Sequence, residues 1–190
     1  MEQGQELIAL GDAGHGVAGR VAAGYEAVAA AFVANFARGE EIGAACAVMH
    51  RGRLVVDLWG GFQDAAKTKL WSADTLVCQM SVAKGPAATC LHMLADRGLV
   101  DFDAPVIQYW PEFGQHGKDS AKVRDLVQHS AGVPVVDVPI TELQIYDDRG
   151  MAQALARQAP FWPPGEDVGY HVLSMGFLVG EIVRRIDGRS

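Results

Sequence analysis

Ser81 and Lys84 are the residues whose types and spacing could support nucleophilic chemistry. They stand three positions apart in "WSADTLVCQMSVAKG" (71–85), where a strand-like run gives way to a helical pattern. Residues at this spacing share one face of a helix, so the lysine nitrogen can reach the serine hydroxyl. Serine needs a base within reach, and burial favours the neutral, basic form of lysine. The pair predicts acyl transfer through serine or, more simply, a capping serine followed by an exposed lysine.

A tyrosine from another segment would complete this chemistry, because a phenol beside the lysine can share the serine proton. The chain has four tyrosines. Tyr25 lies on an apolar helical stripe and is expected in the core, whereas Tyr109 and Tyr146 could line a pocket or simply pack. Tyr170 follows the rigid loop "FWPPGEDVG". That loop could direct its hydroxyl inward, or the ring could pack at the start of the last helix.

The elements that must position these residues can be read from hydrophobic periodicity. Apolar residues from Val17 to Phe36 recur at helical spacing and predict a first helix. Two β-branched runs around "HRGR" (50–53) predict a β-hairpin with Gly52 in its turn. Further helices are predicted over residues 81–98 and 171–186. Because an isolated hairpin is only marginally stable, we expect it to be covered by helices or joined by further strands.

The middle of the chain reads as short helical pieces joined by turns. Ser120 is the candidate N-cap of one such piece, which Gly132 would end. No other stretch of the chain has the pattern of a strand.

Composition and charge exclude several classes of function. The formal charge is −7 and no basic run or stripe is present, which argues against nucleic acid or an anionic membrane as a partner. The three cysteines form no CxxC or Cys/His cluster, so we expect buried thiols, no disulfide framework, and no metal or other cofactor. The N-terminus has no signal-peptide pattern and no apolar run approaches a membrane span, which predicts a cytoplasmic protein.

Four blocks of the sequence resemble successive blocks of the serine β-lactamase-like superfamily. They are "WSADTLVCQMSVAKG", "GLVDFDAPVIQYWPEFG", "KVRDLVQHSAGVP" and "PPGEDVGYHVLSMGFLVGEIVRRIDGRS". The chain is most similar to the family VIII carboxylesterase branch, which is related to class C β-lactamases and DD-peptidases. The resemblance implies an α+β fold of the β-lactamase/penicillin-binding-protein type. It places an N-terminal helix and hairpin of the α/β lobe, with its antiparallel sheet, in residues 1–80, and a mainly helical lobe in residues 81–190.

The same resemblance implies roles for individual residues. Ser81 corresponds to the acyl-forming nucleophile, Lys84 to the proton acceptor of the SxxK motif, and Tyr170 to the partner base. The amide of Ser81 would be one oxyanion donor, and "QHSAG" (128–132) would be a structural helix end. No cofactor is implied.

Two departures from the family pattern shape the expected activity. Val172 stands where β-lactamases and DD-peptidases usually have an asparagine that binds the substrate amide, so a small or medium ester is favoured over a β-lactam or peptide. His171, like Tyr146, is a candidate substrate contact, although a structural role for this histidine is equally compatible with the sequence.

The second departure is that the family's later strands have no counterpart after "IDGRS". We therefore expect an incomplete sheet, and the second oxyanion donor would come from a C-terminal half or a second chain. The alternatives to an ester hydrolase are a β-lactamase or DD-peptidase using the same residues, or an inert, incomplete family member.

Overall fold

The structure is a computed structural model that describes residues 7–10 and 16–189. The chain divides into two compact units, Met1–Cys78 and Gln79–Ser190. Within the described ranges, no helix is both long enough and apolar enough to cross a membrane.

The first unit contains a four-stranded antiparallel sheet in the order β1-β2-β4-β3. Its strands are β1 Leu7–Leu10, β2 Ala18–Ala22, β3 Gly43–His50 and β4 Arg53–Gly61. Strands β3 and β4 form the predicted hairpin. Its two turn residues, Arg51 and Gly52, have φ angles of 50° and 74°. Positive φ at both central residues is typical of the tight turn that matches the twist of paired strands.

The helix predicted from Val17 to Phe36 is wrong over residues 17–25. Ala18–Ala22 pairs with β4 as a strand, and helix α1 runs only over Glu26–Ala37. Gly19 is the physical reason: its φ is 131°, and a Cβ there would lie 2.1 Å from the carbonyl oxygen of Asp57 on β4. Only glycine permits this close approach. The prediction that no other stretch forms a strand is wrong too: β1 and β2 extend the sheet, which is the alternative of further strands joining the hairpin.

The second unit is helical and carries Ser81, Lys84 and Tyr170. Its α-helices are α2 Lys84–Asp96, α3 Val123–Val127, α4 Asp148–Arg157 and α5 Ser174–Asp187. Helix α5 packs against α2 and α4. The largest buried apolar side chains between these elements are Leu91, Trp110, Phe113, Leu126, Leu155, Leu178 and Ile182. Burial of each contributes about 1.5–3 kcal/mol, so this core fixes α2 against the segment that leads into α5.

Two smaller expectations about local structure are also wrong. Ser120 is not a helix cap, because α3 begins at Val123 and the Asp125 carboxylate accepts the N–H of Lys122 at 2.8 Å. Cys78 and Cys90 are exposed, so the expectation of buried thiols fails for both.

Candidate active site

Ser81 lies on a 3-10 turn, Met80–Ala83, that leads directly into α2. Met80, the residue before it, has a φ of 46°, which is uncommon for a residue other than glycine. The Ser81 side chain is exposed. Lys84 begins α2, and its Nζ donates to Ser81 Oγ at 3.1 Å. The i,i+3 spacing in the sequence thus corresponds to a direct contact in the structure.

Lys84 also contacts the segment ahead of α5. Its Nζ donates to the carbonyl oxygen of Val172 at 2.5 Å and lies 4.9 Å from the centroid of the Tyr170 ring. The structure therefore brings Ser81, Lys84 and Tyr170 together within the second unit.

The Tyr170 phenol is electrostatically coupled to this pair. Hydrogen bonding with Ser81, and secondarily with Lys84, lowers the pKa of the phenol below its ordinary value, and the positive charge of Lys84 acts in the same direction. The residue is 52% exposed. The phenolate, which can accept a proton, consequently forms at a lower pH than in an ordinary tyrosine.

His171 does not fit the expected role of a substrate contact. Its side chain is completely buried, and both ring nitrogens bond to backbone: Nδ1 donates to the Gly169 carbonyl at 2.5 Å and Nε2 accepts from the Val133 N–H at 3.3 Å. These two bonds define a neutral tautomer. Burial, aided by nearby His129, lowers the pKa of His171. The residue supports the loop instead of facing a substrate.

Tyr146, the other candidate contact, ends the 3-10 turn Gln144–Tyr146 and is 81% exposed. In the described residues no side-chain hydrogen bond or ring contact joins it to Ser81, Lys84 or Tyr170. Its expected role in substrate binding has no support from this arrangement.

His129 is the neighbour of the site that sequence reasoning missed. Its ring packs edge-on against Tyr170 with a centroid separation of 4.8 Å. It lies in "QHSAG", which the sequence led us to interpret only as a helix end. The available signal was a histidine inside that segment, but sequence gives no indication that this turn contacts the loop before α5.

An apolar cavity of about 210 Å³ adjoins the site through Val172. Val136, Ile140, Met151 and Phe177 are among its lining residues. Ser174, also in the lining, donates its hydroxyl to the Pro134 carbonyl at 2.9 Å and so offers no free donor. In the described part of the chain, no group of three or more histidine, cysteine, aspartate or glutamate residues is arranged to hold a metal ion.

Comparison with known proteins places the chain in a family. The sequence profile of the family described as Beta-lactamase matches residues 27–190, so the chain belongs to the β-lactamase family. The esterase/beta-lactamase LipL of Mycobacterium tuberculosis (strain ATCC 25618 / H37Rv) is 38% identical over 179 residues, which are 94% of this chain and 41% of LipL.

Two crystal structures are also similar. A family VIII carboxylesterase is 41% identical, with a TM-score of 0.89 over 92% of this chain and 47% of its own. A penicillin-binding protein homolog from Caulobacter crescentus is 37% identical, with a TM-score of 0.87 over the same shares of the two chains. The chain thus spans less than half the length of each of these relatives.

Proposed function

We propose that this chain carries the nucleophile and proton-transfer groups of a serine hydrolase that cleaves small or medium carboxylic esters through an acyl-Ser81 intermediate. The observation that carries the proposal is the position of Lys84 Nζ, which is 3.1 Å from Ser81 Oγ and 4.9 Å from the Tyr170 ring centroid. The names of the relatives, a carboxylesterase and an esterase/beta-lactamase, support it.

The contacts favour Tyr170 over Lys84 as the proton acceptor. Lys84 Nζ is engaged as a donor to both Ser81 Oγ and the Val172 carbonyl. The pKa of Tyr170 is lowered chiefly by Ser81 and then by Lys84. Lys84 therefore stabilises the phenolate, and the phenolate accepts the proton.

The reaction then proceeds in two balanced steps. Tyr170 Oη takes the Ser81 proton while Oγ bonds to the ester carbonyl carbon, and the oxyanion faces the Ser81 N–H in the first turn of the 3-10 segment. The C–O bond to the alcohol breaks as Tyr170 returns the proton to the leaving oxygen. Water next gives a proton to Tyr170, its oxygen attacks the acyl carbon, and Ser81 leaves and recovers the proton.

The apolar cavity suggests the substrate class. An engineered cavity of about 150 Å³ is known to hold benzene, so 210 Å³ has room for an acyl chain of about six carbons. Val172 offers the cavity an isopropyl group, which cannot hydrogen-bond a substrate amide. An ester with an apolar acyl chain fits these surroundings better than a peptide.

Hydrolysis of β-lactams is the second candidate, because the relative LipL is named an esterase/beta-lactamase. The same Ser81 would open the lactam ring. Turnover of nitrocefin faster than that of p-nitrophenyl hexanoate would reverse the order of the two candidates.

The relatives are about twice as long as this chain, and the part of them outside the match is relevant to full hydrolase activity. More than half of LipL lies outside the match, and we propose that a further segment or second chain supplies the second oxyanion donor. Loss of one such donor typically lowers kcat by about 10²–10³-fold. The 190-residue chain alone would then be acylated slowly, or would be an inert family member. Co-expression with the C-terminal half of a relative should raise the acylation rate.

Labelling with a fluorophosphonate tests the proposal, because it requires one attack by serine and no turnover. Mass spectrometry should locate the adduct on Ser81 and not on Ser72 or Ser130. The Ser81→Ala variant should remain unlabelled. A folded wild-type chain that takes no label after prolonged incubation would contradict the proposed function.

A further inference from the structure

His129 occupies an unusual place beside the proposed site. It follows helix α3 and has a φ of 64°, in the left-handed region that asparagine, aspartate and histidine adopt more readily than most residues. Its ring contacts two others: the centroid separation is 4.8 Å to Tyr170 and 5.6 Å to His171. The first pair meets at 62°, an edge-to-face geometry that is favourable for aromatic rings.

His129 also holds the backbone on both sides of Tyr170. Its carbonyl oxygen accepts the N–H of Gly169 at 3.1 Å, and its Nδ1 accepts the N–H of His171 at 3.2 Å. One residue thus bonds to the residues immediately before and after the tyrosine and also packs on the tyrosine ring. Three contacts of this kind restrict both the position and the orientation of the phenol.

The contact through Nδ1 depends on protonation. Nδ1 can accept the His171 N–H only when it carries no proton, so the bonded form is the neutral tautomer with its proton on Nε2. Among the described residues, the rings of Tyr170 and His171 from the loop before α5 contact the His129 ring, and Lys84 of α2 acts on it through its charge. Partial burial, and then the charge of Lys84, lower the pKa of His129 and favour the neutral form.

We infer that His129 is a positioning residue: its neutral imidazole fixes the loop around Tyr170 and so holds the phenol against Ser81 and Lys84. The effect on the rate of Ser81 acylation rests on the proposed function. The attachment of the loop around Tyr170 does not. Protonation of Nδ1 would place its N–H opposite the His171 N–H. The hydrogen bond between them would then be lost, and the loop would be released on the His171 side of Tyr170.

Two substitutions separate the acceptor from the ring. His129→Phe keeps an aromatic ring against Tyr170 but has no acceptor for the His171 N–H. His129→Asn tolerates the left-handed backbone, and its side-chain oxygen can take the place of Nδ1, but it cannot titrate. Each variant would be compared with wild type by urea unfolding, by the titration of Tyr170 followed by NMR of ¹³C-labelled tyrosine, and by the rate of Ser81 labelling between pH 5 and 9.

For His129→Phe we expect the pKa of the Tyr170 phenol to rise towards its ordinary value. Labelling of Ser81 should slow by about 100-fold, as for a misplaced catalytic group. For His129→Asn we expect labelling within about fivefold of wild type at pH 7.5, and a weaker fall in rate on the acid side. An unchanged Tyr170 titration in His129→Phe would overturn the inference. If His129→Phe does not fold, the His129→Asn variant still tests the inference. A labelling rate that falls with decreasing pH in the same way as in wild type would overturn it.

The two proposals can fail separately. If the Tyr170 titration responds to His129→Phe but Ser81 of the wild type takes no label, the positioning role stands and the hydrolase is wrong. If Ser81 is labelled equally fast in wild type and both variants, the hydrolase stands and the positioning role is wrong.

Discussion

Two lysines of the second unit have similar hydrogen bonds in very different surroundings. Lys84 lies at the exposed start of α2 and donates to the Ser81 hydroxyl and the Val172 carbonyl. Lys118 is completely buried. It donates to the Gln115 carbonyl at 2.9 Å and to the carbonyl of Gln158.

The partners of the two lysines account for their different roles. The ring of Phe113 lies 5.4 Å from Lys118 Nζ, and burial lowers the pKa of this lysine. A lysine with a lowered pKa is not by itself a reactive site. Both partners of Lys118 are carbonyl oxygens, which have no proton to transfer. Lys84 has a hydroxyl partner, a phenol close by and access to solvent, and these allow chemistry. Changes at the exposed cluster should therefore affect rate, and changes at the buried groups should affect stability.

The largest expected effect follows Lys84→Met. Removal of the cation that supports the serine and the phenolate should slow Ser81 labelling by about 10³-fold. The free energy of unfolding in urea should change by only about 1 kcal/mol, because the side chain is half-buried and not part of the packed core. Lys118→Met is the matched control and should retain the labelling rate. Equal rates in the two variants would remove the distinction between these lysines.

Tyr170→Phe should have the next largest effect, about 10²-fold on labelling at pH 7. Because the pKa of the phenol is lowered, the wild-type rate should rise with pH and reach its plateau below the ordinary tyrosine range near 10. The phenylalanine variant should lose this rise. Tyr146→Phe serves as the control, and a rise that persists in Tyr170→Phe would assign the proton acceptor to another group.

Lys118→Ala should act on stability instead. The substitution leaves a cavity and two carbonyl groups without their donor, and should lower the free energy of unfolding by about 2 kcal/mol. Labelling of Ser81, measured well below the denaturation midpoint, should proceed at the wild-type rate. A large loss of labelling without loss of stability would show that the buried lysine contributes to the chemistry.

The smallest effect concerns acid stability. His171 has a folded-state pKa below its ordinary value of 6.5, so the unfolded chain binds more protons just below this pH. Its contribution to stability is present above about 6.5 and is lost as pH falls through the folded-state pKa. Urea unfolding should show lower stability at pH 5.5 than at pH 7.5, and His171→Gln should show a smaller difference. Equal pH dependence in both proteins would contradict this assignment.

The correct and incorrect sequence predictions differ in the range of the interactions involved. The β3–β4 hairpin depends on local alternation and on Gly52, and the Ser81–Lys84 contact depends on one helical turn, so both could be predicted. The segment from Val17 was misassigned because its apolar spacing suits a helix as well as a strand. Pairing with β4, a non-local contact, decided between them.

The sequence by itself determined the family and the spacing of Ser81 and Lys84, and the resemblance to the family singled out Tyr170 as the tyrosine that could join them. Only the tertiary structure decided that His129 attaches the loop on both sides of Tyr170 and that His171 is buried, whereas Tyr146 lies apart from the cluster. The physical reason is that short-range backbone geometry is encoded in neighbouring residues. The contact between His129, which follows α3, and the loop before α5 depends on the packing of the whole helical core, which brings segments distant in sequence together.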